Sequence, residues 1–528
     1  MDKIRITIGE LFYYLFWCLM LVVKGFGFYD GMTIYKIFMV IAVVLIGMKL
    51  CVTNHTVIEW LFISALSFMG VIAYLNSKEK GILLAIMVII GIKGVPIERL
   101  FKIGLVVWGS CFLVMNIAGV FDLVTGSIVV HDKGILGIVL RRGMGYPHPN
   151  VLHISYAFLV ALILYLSANK QIWKYLALFA GNIYIFLYSY SYTGFLLVCI
   201  YMMIDIYLTY RKKLSRSEKI FMHTILPICM IFSIVGPLVL NLDGAIFQLI
   251  NRLMNTRFFM SRVFLHQNQW SLFGTANVTQ GAYPDSSYVI LFLFYGIVFF
   301  VLFFVLHFVL INHCIKHDKR RTLTIVLAFI IAGFFEPFLV NTSHKNLIWL
   351  FVGIYIFDSV LNQARFSEHK LLGFSVKLFD KKDITIAVPS LDFAKGKSAL
   401  SHTKPKWHKF CLLVALVVSF IAAALSWTGQ DKSYDIYIDT ERTDIGDDLE
   451  EFFLDKDNLP ADFHGKIYAY TDAESPLYRI GSDKLSYEYV RKSVSIGLMF
   501  GVGFYLLAVC WLVRRGAGNG MRKTALNK

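Results

Sequence analysis

Three short stretches carry side chains with the means to do chemistry. In RRGMGYPHPN, residues 141–150, Arg141 and Arg142 precede His148, and Pro147 and Pro149 fix the backbone on either side of the ring while removing two donors. A histidine titrates near neutrality and can take a proton from an attacking hydroxyl; Asn150 and Ser155 add neutral hydrogen bonds. The plainer reading of His148 is a structural turn residue. In NRLMNTRFFMSRVFLHQNQWSLFG, residues 251–274, Arg252, Arg257 and Arg262 recur every five residues. At 3.6 residues per turn each step rotates by about 140°, so the three do not share one helical face, whereas Arg262 and His266, four apart, do. Leu253, Phe258, Phe259, Val263 and Phe264 between the charges suggest a helix lying in a membrane interface, and the plainer reading is an anchor whose arginines hold headgroups. The third stretch is GFFEPFLVNTSHKN, where Glu336 sits inside an apolar run and Pro337 distorts the helix after it. An ionisable residue within a span is costly and marks a functional position with a partner to be named. Structural pairing with a loop arginine and a part in catalysis are equally open.

The elements that must position these residues are membrane spans. Of 528 residues, 57% are AVILMFWYC and 16% are charged, against about 45–50% apolar and about 25% charged in soluble domains. Apolar runs lie near 9–23, 33–51, 56–75, 81–95, 100–118, 151–167, 173–189, 194–209, 220–240, 288–312, 323–340, 346–362, 410–427 and 494–513. The expected fold is thus an all-α polytopic membrane protein of about fourteen transmembrane helices with large outer loops. The N-terminus has the basic start of a signal peptide, but no small-residue cleavage site follows, and it reads as the first span.

Charge sets the orientation. The connections 210–219 and 313–322, the linker 364–409 and the C-terminal tail are basic and fall on the side of the N-terminus, which the positive-inside rule makes cytoplasmic. Lys78 and Lys80 run against this trend in an outer loop. The formal net charge of +16 thus needs no nucleic acid to account for it. Five arginines, Arg141, Arg142, Arg252, Arg257 and Arg262, fall on the outer side, in segments 119–150 and 241–287, whose acidic residues are essentially Asp122, Asp132, Asp243 and Asp285. An anionic ligand is the natural counter-charge, because guanidinium presents a fork matched to phosphate.

The division by segment is a membrane core over 1–363, the basic cytoplasmic linker 364–409, a transmembrane helix at 410–427, an acidic outer domain at 428–493, and a final helix with basic tail at 494–528. From Asp431 to Lys492 there are sixteen Asp or Glu against eight Lys or Arg, with alternating runs such as YDIYIDT and GKIYAYT. Alternation reads as β-strand, so this is a small extracytoplasmic α+β or β-rich domain, taken as accessory. The linker, Lys-rich with Pro389 and Pro405, reads as irregular chain along the anionic inner leaflet. The eight cysteines include no CxxC pair, so neither a disulfide nor a zinc framework is implied. GxxxxGK[ST], HExxH and GxSxG are absent, and no acidic cluster of the core suits a metal. The chemistry expected is that of arginine, histidine and carboxylate, without cofactor.

In order along the chain, RRGMGYPHPNVL before a span, YSYSYTGFLL (188–197), RLMNTRFFMSRVF leading to LFG, PDSSYVILFLFYGI (284–297) and FFEPFLVNTSHKNLIWLF resemble the O-antigen and capsular repeat-unit polymerases, the Wzy family, relatives of the O-antigen ligases. The resemblance covers roughly residues 90–362. It departs at Tyr192, where the family often has arginine after serine, and in the two extra spans enclosing the acidic domain. The resemblance implies an inverting glycosyltransferase, independent of metal and nucleotide sugar. It would move a growing glycan from polyprenyl diphosphate onto a new lipid-linked repeat unit at the outer face of a bacterial cytoplasmic membrane. Donor and acceptor are lipid-linked oligosaccharides, and a chain-length regulator and a flippase of the same pathway are the implied partners. Arg257, supported by Arg141, Arg142, Arg252 and Arg262, would hold the diphosphate, with Asn150 and His266 alongside; His148 or Glu336 would act on the acceptor hydroxyl; Asp285 and Tyr288 would shape the acceptor region. Alternatives are a ligase moving finished glycan to another acceptor, a lipid-linked glycan flippase or transporter, and a non-catalytic assembly scaffold.

Overall fold

The computed structural model describes residues 3–124, 127–132, 138–167, 171–254, 256–279, 283–340, 345–363, 366, 368–376, 385–389, 405–439, 450–452, 465–468 and 477–526. Most of the linker 364–404, the NTSH of the Glu336 stretch, and most of 440–476, including the ends of YDIYIDT and GKIYAYT, lie outside these residues.

In hydrocarbon every backbone N–H and C=O must find its partner within the chain, and a helix does this locally. Among the described residues ten helices are long and apolar enough to cross a membrane: Ile8–Gly25 (α1), Thr33–Val52 (α2), Val57–Ser77 (α3), Ile97–Val120 (α5), Pro149–Leu166 (α6), Tyr192–Tyr210 (α8), Arg216–Val239 (α9), Ile297–Lys316 (α13), Trp407–Gly429 and Ser482–Leu512. The last two belong to helices Pro405–Gly429 (α16) and Ser486–Leu526 (α17). Their starts follow capping chemistry. Thr7 accepts from the Glu10 amide, Ser191 accepts from Gly194, and Thr56/Glu59 and Ser215/Glu218 form reciprocal capping boxes. The chain is a multi-pass, helical membrane protein.

Four of the expected fourteen spans differ. Gly81–Gly91 (α4) has 11 residues and Arg320–Phe335 (α14) has 16. Ile172–Ser189 (α7) carries polar Lys174 and Asn182. Ile348–Tyr355 (α15) passes into a π-helical turn, Ile356–Val360. The run expected as one span over 288–312 is also interrupted, and α13 begins only after the break. Ser287–Ile290 (α12) leads into a π turn, Leu291–Tyr295, and stops at Gly296. There φ is +93°, a conformation open to glycine alone among ordinary residues. Residues 271–275 pass through the break: Ile297 and Val298 donate to the carbonyls of Ser271 and Leu272, and Thr275 donates to that of Leu293. A Cβ on Gly296 would meet the Gly274 nitrogen at 2.3 Å, and one on Gly274 would meet the Phe294 oxygen at 2.0 Å. The backbones therefore approach to a distance that only two glycines permit.

The chain divides into two compact units. The first comprises 1–112, 153–183 and 191–389, and its contacts sort the connections to two ends. At one end Lys3–Thr7 (β1) pairs antiparallel with Thr385–Pro389 (β6), and His55–Thr56 (β2) with Ser375–Val376 (β5). Arg99 bonds Glu10, Lys93 bonds Glu59, and Arg320 reaches the Leu208 and Lys212 carbonyls. The linker is thus not wholly irregular. Its β-branched TIAV run forms a strand whose partner, KIRIT, shows the same two-residue alternation. At the opposite end Lys80 pairs with Asp30 at 2.7 Å, which supplies the counter-charge for an outer-loop lysine, and Asn76 bonds the Phe273 carbonyl.

The second unit comprises 113–152, 184–190 and 390–528. Asp435–Asp439 (β7), Glu450–Phe452 (β8), Gly465–Tyr468 (β9) and Leu477–Ile480 (β10) form a sheet in the order β8-β10-β7-β9, antiparallel except for β7 with β9. Two paired strands from segment 119–150, Ile128–Asp132 (β3) and Ile138–Arg142 (β4), contribute to its core. Ile128, Val130 and Leu140 pack against Ile436, Ile438, Ile480, Leu485 and Tyr489. The acidic domain therefore does not close on its own residues alone. Arg5 and Ala387 stand directly opposite each other on β1 and β6, and both are exposed. Cysteines at these two positions are expected to cross-link within the chain under mild oxidation, read as a mobility shift that reductant reverses; a chain that forms no such link lacks the β1–β6 pairing.

Candidate functional site

The first unit gathers charge where α14 ends. The peptide of Glu336 turns extended, at φ −137° and ψ 144°, and Pro337–Leu339 follow as a single 3₁₀ turn. This turns the Glu336 side chain out of helical register. Thr193 in the first turn of α8 donates to Glu336 Oε1 at 2.6 Å, and Ser287 at the start of α12 donates to its carbonyl at 2.5 Å. Glu336 is 5% exposed. Across from it, Arg257 is the first residue of Arg257–Gln267 (α11), entered through Thr256 in the left-handed region. Its Nη1 donates to the Phe335 carbonyl at 2.7 Å and lies 3.3 Å from Glu336 Oε1, while Nε lies 3.0 Å from Asp285 Oδ2. Among the described residues Nη2 makes no hydrogen bond. One guanidinium is thus held through Nη1 and Nε by two carboxylates and a carbonyl, with Nη2 between the two engaged nitrogens.

Apolar packing fixes this register. Ala245–Leu253 (α10) and α11 form two short helices, so Arg252 and Arg257 stand on different elements. Phe247, Met254 and Phe258 are buried against Phe232, Leu240, Phe334 and Phe335, which holds the start of α11 on α9 and on the end of α14. Asn251 Oδ1 caps the Phe259 amide at 2.9 Å.

The other arginines of this segment have different fates. Arg262 Nη1 donates to the carbonyls of Pro237 and Leu240 at 3.1 and 2.9 Å, closing the C-terminus of α9; a structural role replaces the anion-binding one expected for it. Arg252 and His266 are exposed, and their side chains make no hydrogen bond or ion pair among the described residues. Tyr288 is fully buried and donates to the Ile330 carbonyl at 2.6 Å, so it joins α12 to α14 and does not line an acceptor region.

Two residues of this unit escaped the sequence reading. Thr193 lies within the YSYSYTGFLL stretch, where attention fell on the residue after Ser191. Lys345 lies within the Glu336 stretch and is 3% exposed. It donates to Ser155 Oγ at 2.9 Å and stands 5.6 Å from the Trp108 ring centroid. No spacing rule singles out either residue; a buried ammonium in NTSHKN is visible only as an intramembrane charge.

In the second unit, neighbouring residues on β4 face opposite ways, and Arg141 and Arg142 accordingly bond different partners. Arg141 donates from Nε to the Ser189 carbonyl at 2.8 Å and from Nη2 to Asn150 Oδ1 at 2.7 Å. Arg142 donates to Glu488 Oε2 at 3.0 Å and Asp122 Oδ1 at 2.7 Å. Its counter-charges are protein carboxylates, and one of them comes from the edge of the acidic domain, so the need for an anionic ligand does not extend to Arg142. Lys492 also bonds Asp122, at 2.8 Å, with Lys466 at 3.7 Å. Burial raises the Asp122 carboxyl, but Arg142 and the two lysines outweigh it and hold the group below its ordinary value. His148 Nδ1 accepts from the Asn150 amide at 3.1 Å, and its carbonyl accepts from Val151, so the ring acts as an N-cap of α6.

Two expectations follow. Glu336→Ala leaves Thr193 without its acceptor and Arg257 with the Phe335 carbonyl and a single carboxylate, Asp285, and is expected to lower stability in detergent by about 1–3 kcal/mol; Glu336→Gln, which keeps an oxygen for Thr193, should lose less, and thermal unfolding of the two variants checks the order. Because the Asp122 carboxyl is depressed in the folded chain, the stability it contributes is complete above its unfolded value of about 3.9 and is lost as pH falls through the lower folded value. Proteolysis of the second unit between pH 6 and 3 is therefore expected to accelerate in the native chain, whereas Asp122→Asn should be cleaved faster at pH 6 and change less with acid. No family model, no curated protein and no solved structure matches this chain.

Proposed function

We propose that the protein is a glycosyltransferase that polymerises lipid-linked oligosaccharide repeat units of a bacterial surface polysaccharide, acting from the cytoplasmic membrane with both termini in the cytoplasm. The observation that carries this reading is the Arg257 site: a guanidinium held by Glu336, Asp285 and the Phe335 carbonyl, with Nη2 unbonded. It lies at the end of the first unit opposite the β1–β6 pair, and the basic connections at the β1–β6 end make that end cytoplasmic and the Arg257 end outer.

In the reaction proposed, the acceptor sugar hydroxyl attacks the anomeric carbon of the donor glycan. The C–O bond to the diphosphate breaks with its electron pair, and polyprenyl diphosphate leaves as an anion against Arg257. A preorganised guanidinium in a site of low polarity stabilises the charge that develops on the leaving oxygen. The hydroxyl proton passes to a carboxylate, and Glu336 takes this part because it adjoins Arg257, whereas Nδ1 of His148 is engaged in capping α6. Thr193 orients the carboxylate through Oε1, leaving Oε2 for the hydroxyl. A single displacement inverts the anomeric centre. Asp285, half exposed beside Arg257, shapes the acceptor region, and no metal or nucleotide enters the scheme.

Arg257→Ala is expected to lower polymer formation by about 10²–10³-fold while the protein still inserts, and Arg257→Lys to restore only part, since ammonium lacks the fork. The assay is polymer length from purified lipid-linked repeats with no energy source. Normal-length polymer from Arg257→Ala overturns the diphosphate role, and full-length chains accumulating on lipid in cells without the protein would assign it to ligation.

A further inference from the structure

Within the second unit a groove runs between α16 and α17, with a volume of about 1000 Å³, at the upper end of the range of about 300–1,000 Å³ usual for ligand pockets. Its character changes along its length. Val418, Ile421 and Leu425 of α16 and Ile496 and Phe500 of α17 line one part, and Gln430, Lys466 and Lys492 line the other. The change falls where the apolar run of each helix stops: α16 ends at Gly429, and Lys492 stands just before the run 494–513. Ile421 and Leu425 are 50% and 67% exposed, so the apolar part opens sideways toward acyl chains.

Among the described residues the polar end gathers more cations than carboxylates. Asp122 receives Arg142, Lys492 and Lys466, and Glu488 is shared between Arg142 and Arg491. Asp431 at the rim brings the cluster to four cations against three carboxylates. Burial lowers the Lys466 ammonium below its ordinary value; Asp122 opposes this, and repulsion from Lys492 and Arg142 adds to it. A phosphate beside the two lysines would relieve that repulsion, and an acyl chain would cover the apolar wall.

From this juxtaposition we infer that the groove is a binding site for an anionic glycerophospholipid of the bilayer, with its phosphate on Lys466 and Lys492 and one acyl chain along Ile421, Leu425 and Phe500. The site is independent of the transferase reading. Native mass spectrometry of the full-length, delipidated protein titrated with phosphatidylglycerol or phosphatidylcholine tests it. Retention of phosphatidylglycerol is expected to exceed that of phosphatidylcholine by roughly ten- to thirty-fold. The double variant Lys466→Gln/Lys492→Gln should abolish this preference, and Ala422→Trp, which fills the groove and leaves both lysines in place, should abolish retention itself. Equal retention of the two lipids by the native chain, or unchanged phosphatidylglycerol binding in both variants, overturns the assignment. Displacement of phosphatidylglycerol by an equimolar isoprenoid phosphate overturns it in favour of that lipid.

Discussion

A carboxylate at the end of an apolar helix has no water to share its charge, and the pairing of Glu336 with Arg257 answers that constraint. Much of the end of the first unit that holds this pair follows from it. The helix α14 must stop for the carboxylate to turn sideways, Pro337 keeps it stopped, and Arg257 can reach Phe335 only if α11 begins where it does. The aromatic cluster of Phe232, Phe258, Phe334 and Phe335 then holds the two helix ends together. Thr193 brings α8 to the same carboxylate, and Ser287 brings α12. Four elements distant in the chain thus meet on one acidic residue.

The break at Gly296 serves the same end by another means. An unbroken helix over 287–316 would leave residues 271–275 without backbone partners at membrane depth, whereas the interruption offers two amides and a carbonyl to that segment. The segment 271–275 is fixed in the chain between α11 and α12, and Asp285, just before α12, pairs with Arg257. In the second unit the corresponding centre is Asp122, in the left-handed region just after α5, which collects cations from β4, β9 and α17.

What was legible in the sequence is what depends on local pattern. The apolar runs coincide with helices, because hydrophobic length is a property of a contiguous stretch. The alternation in YDIYIDT and GKIYAYT coincides with strands β7 and β9. Arg257, Glu336 and Asp285 were singled out separately, and the structure joins them. The failures are non-local or fall below the resolution of composition. LFLFYGIVFF reads as one continuous span, since a single glycine barely alters its hydropathy, and only the chain crossing it explains the break. Glu488 as a partner of Arg142 is separated from it by 346 residues, which no spacing rule anticipates. The strands at 128–132 and 138–142 did carry a signal, the β-branched runs IVV and IV, left unassigned within segment 119–150. Thr193 has no sequence signature, because a hydroxyl near a helix start caps its own helix far more often than it reaches another.

The pairing of β1 with β6 bears on the order in which the protein is made. The first strand leaves the ribosome well before its partner, which follows roughly 380 residues later; at about 5–20 residues per second that is an interval of about 20–75 s. Throughout it the KIRIT segment is an open strand edge, able to pair with any extended chain nearby. Lys3 and Arg5 alternating with Ile4 and Ile6 give that edge the charge that discourages such pairing while it waits. Closing it joins the beginning of the membrane core to the chain that leads out of it, so a protein truncated before residue 385 would retain the spans of the first unit yet keep a permanently unpaired strand.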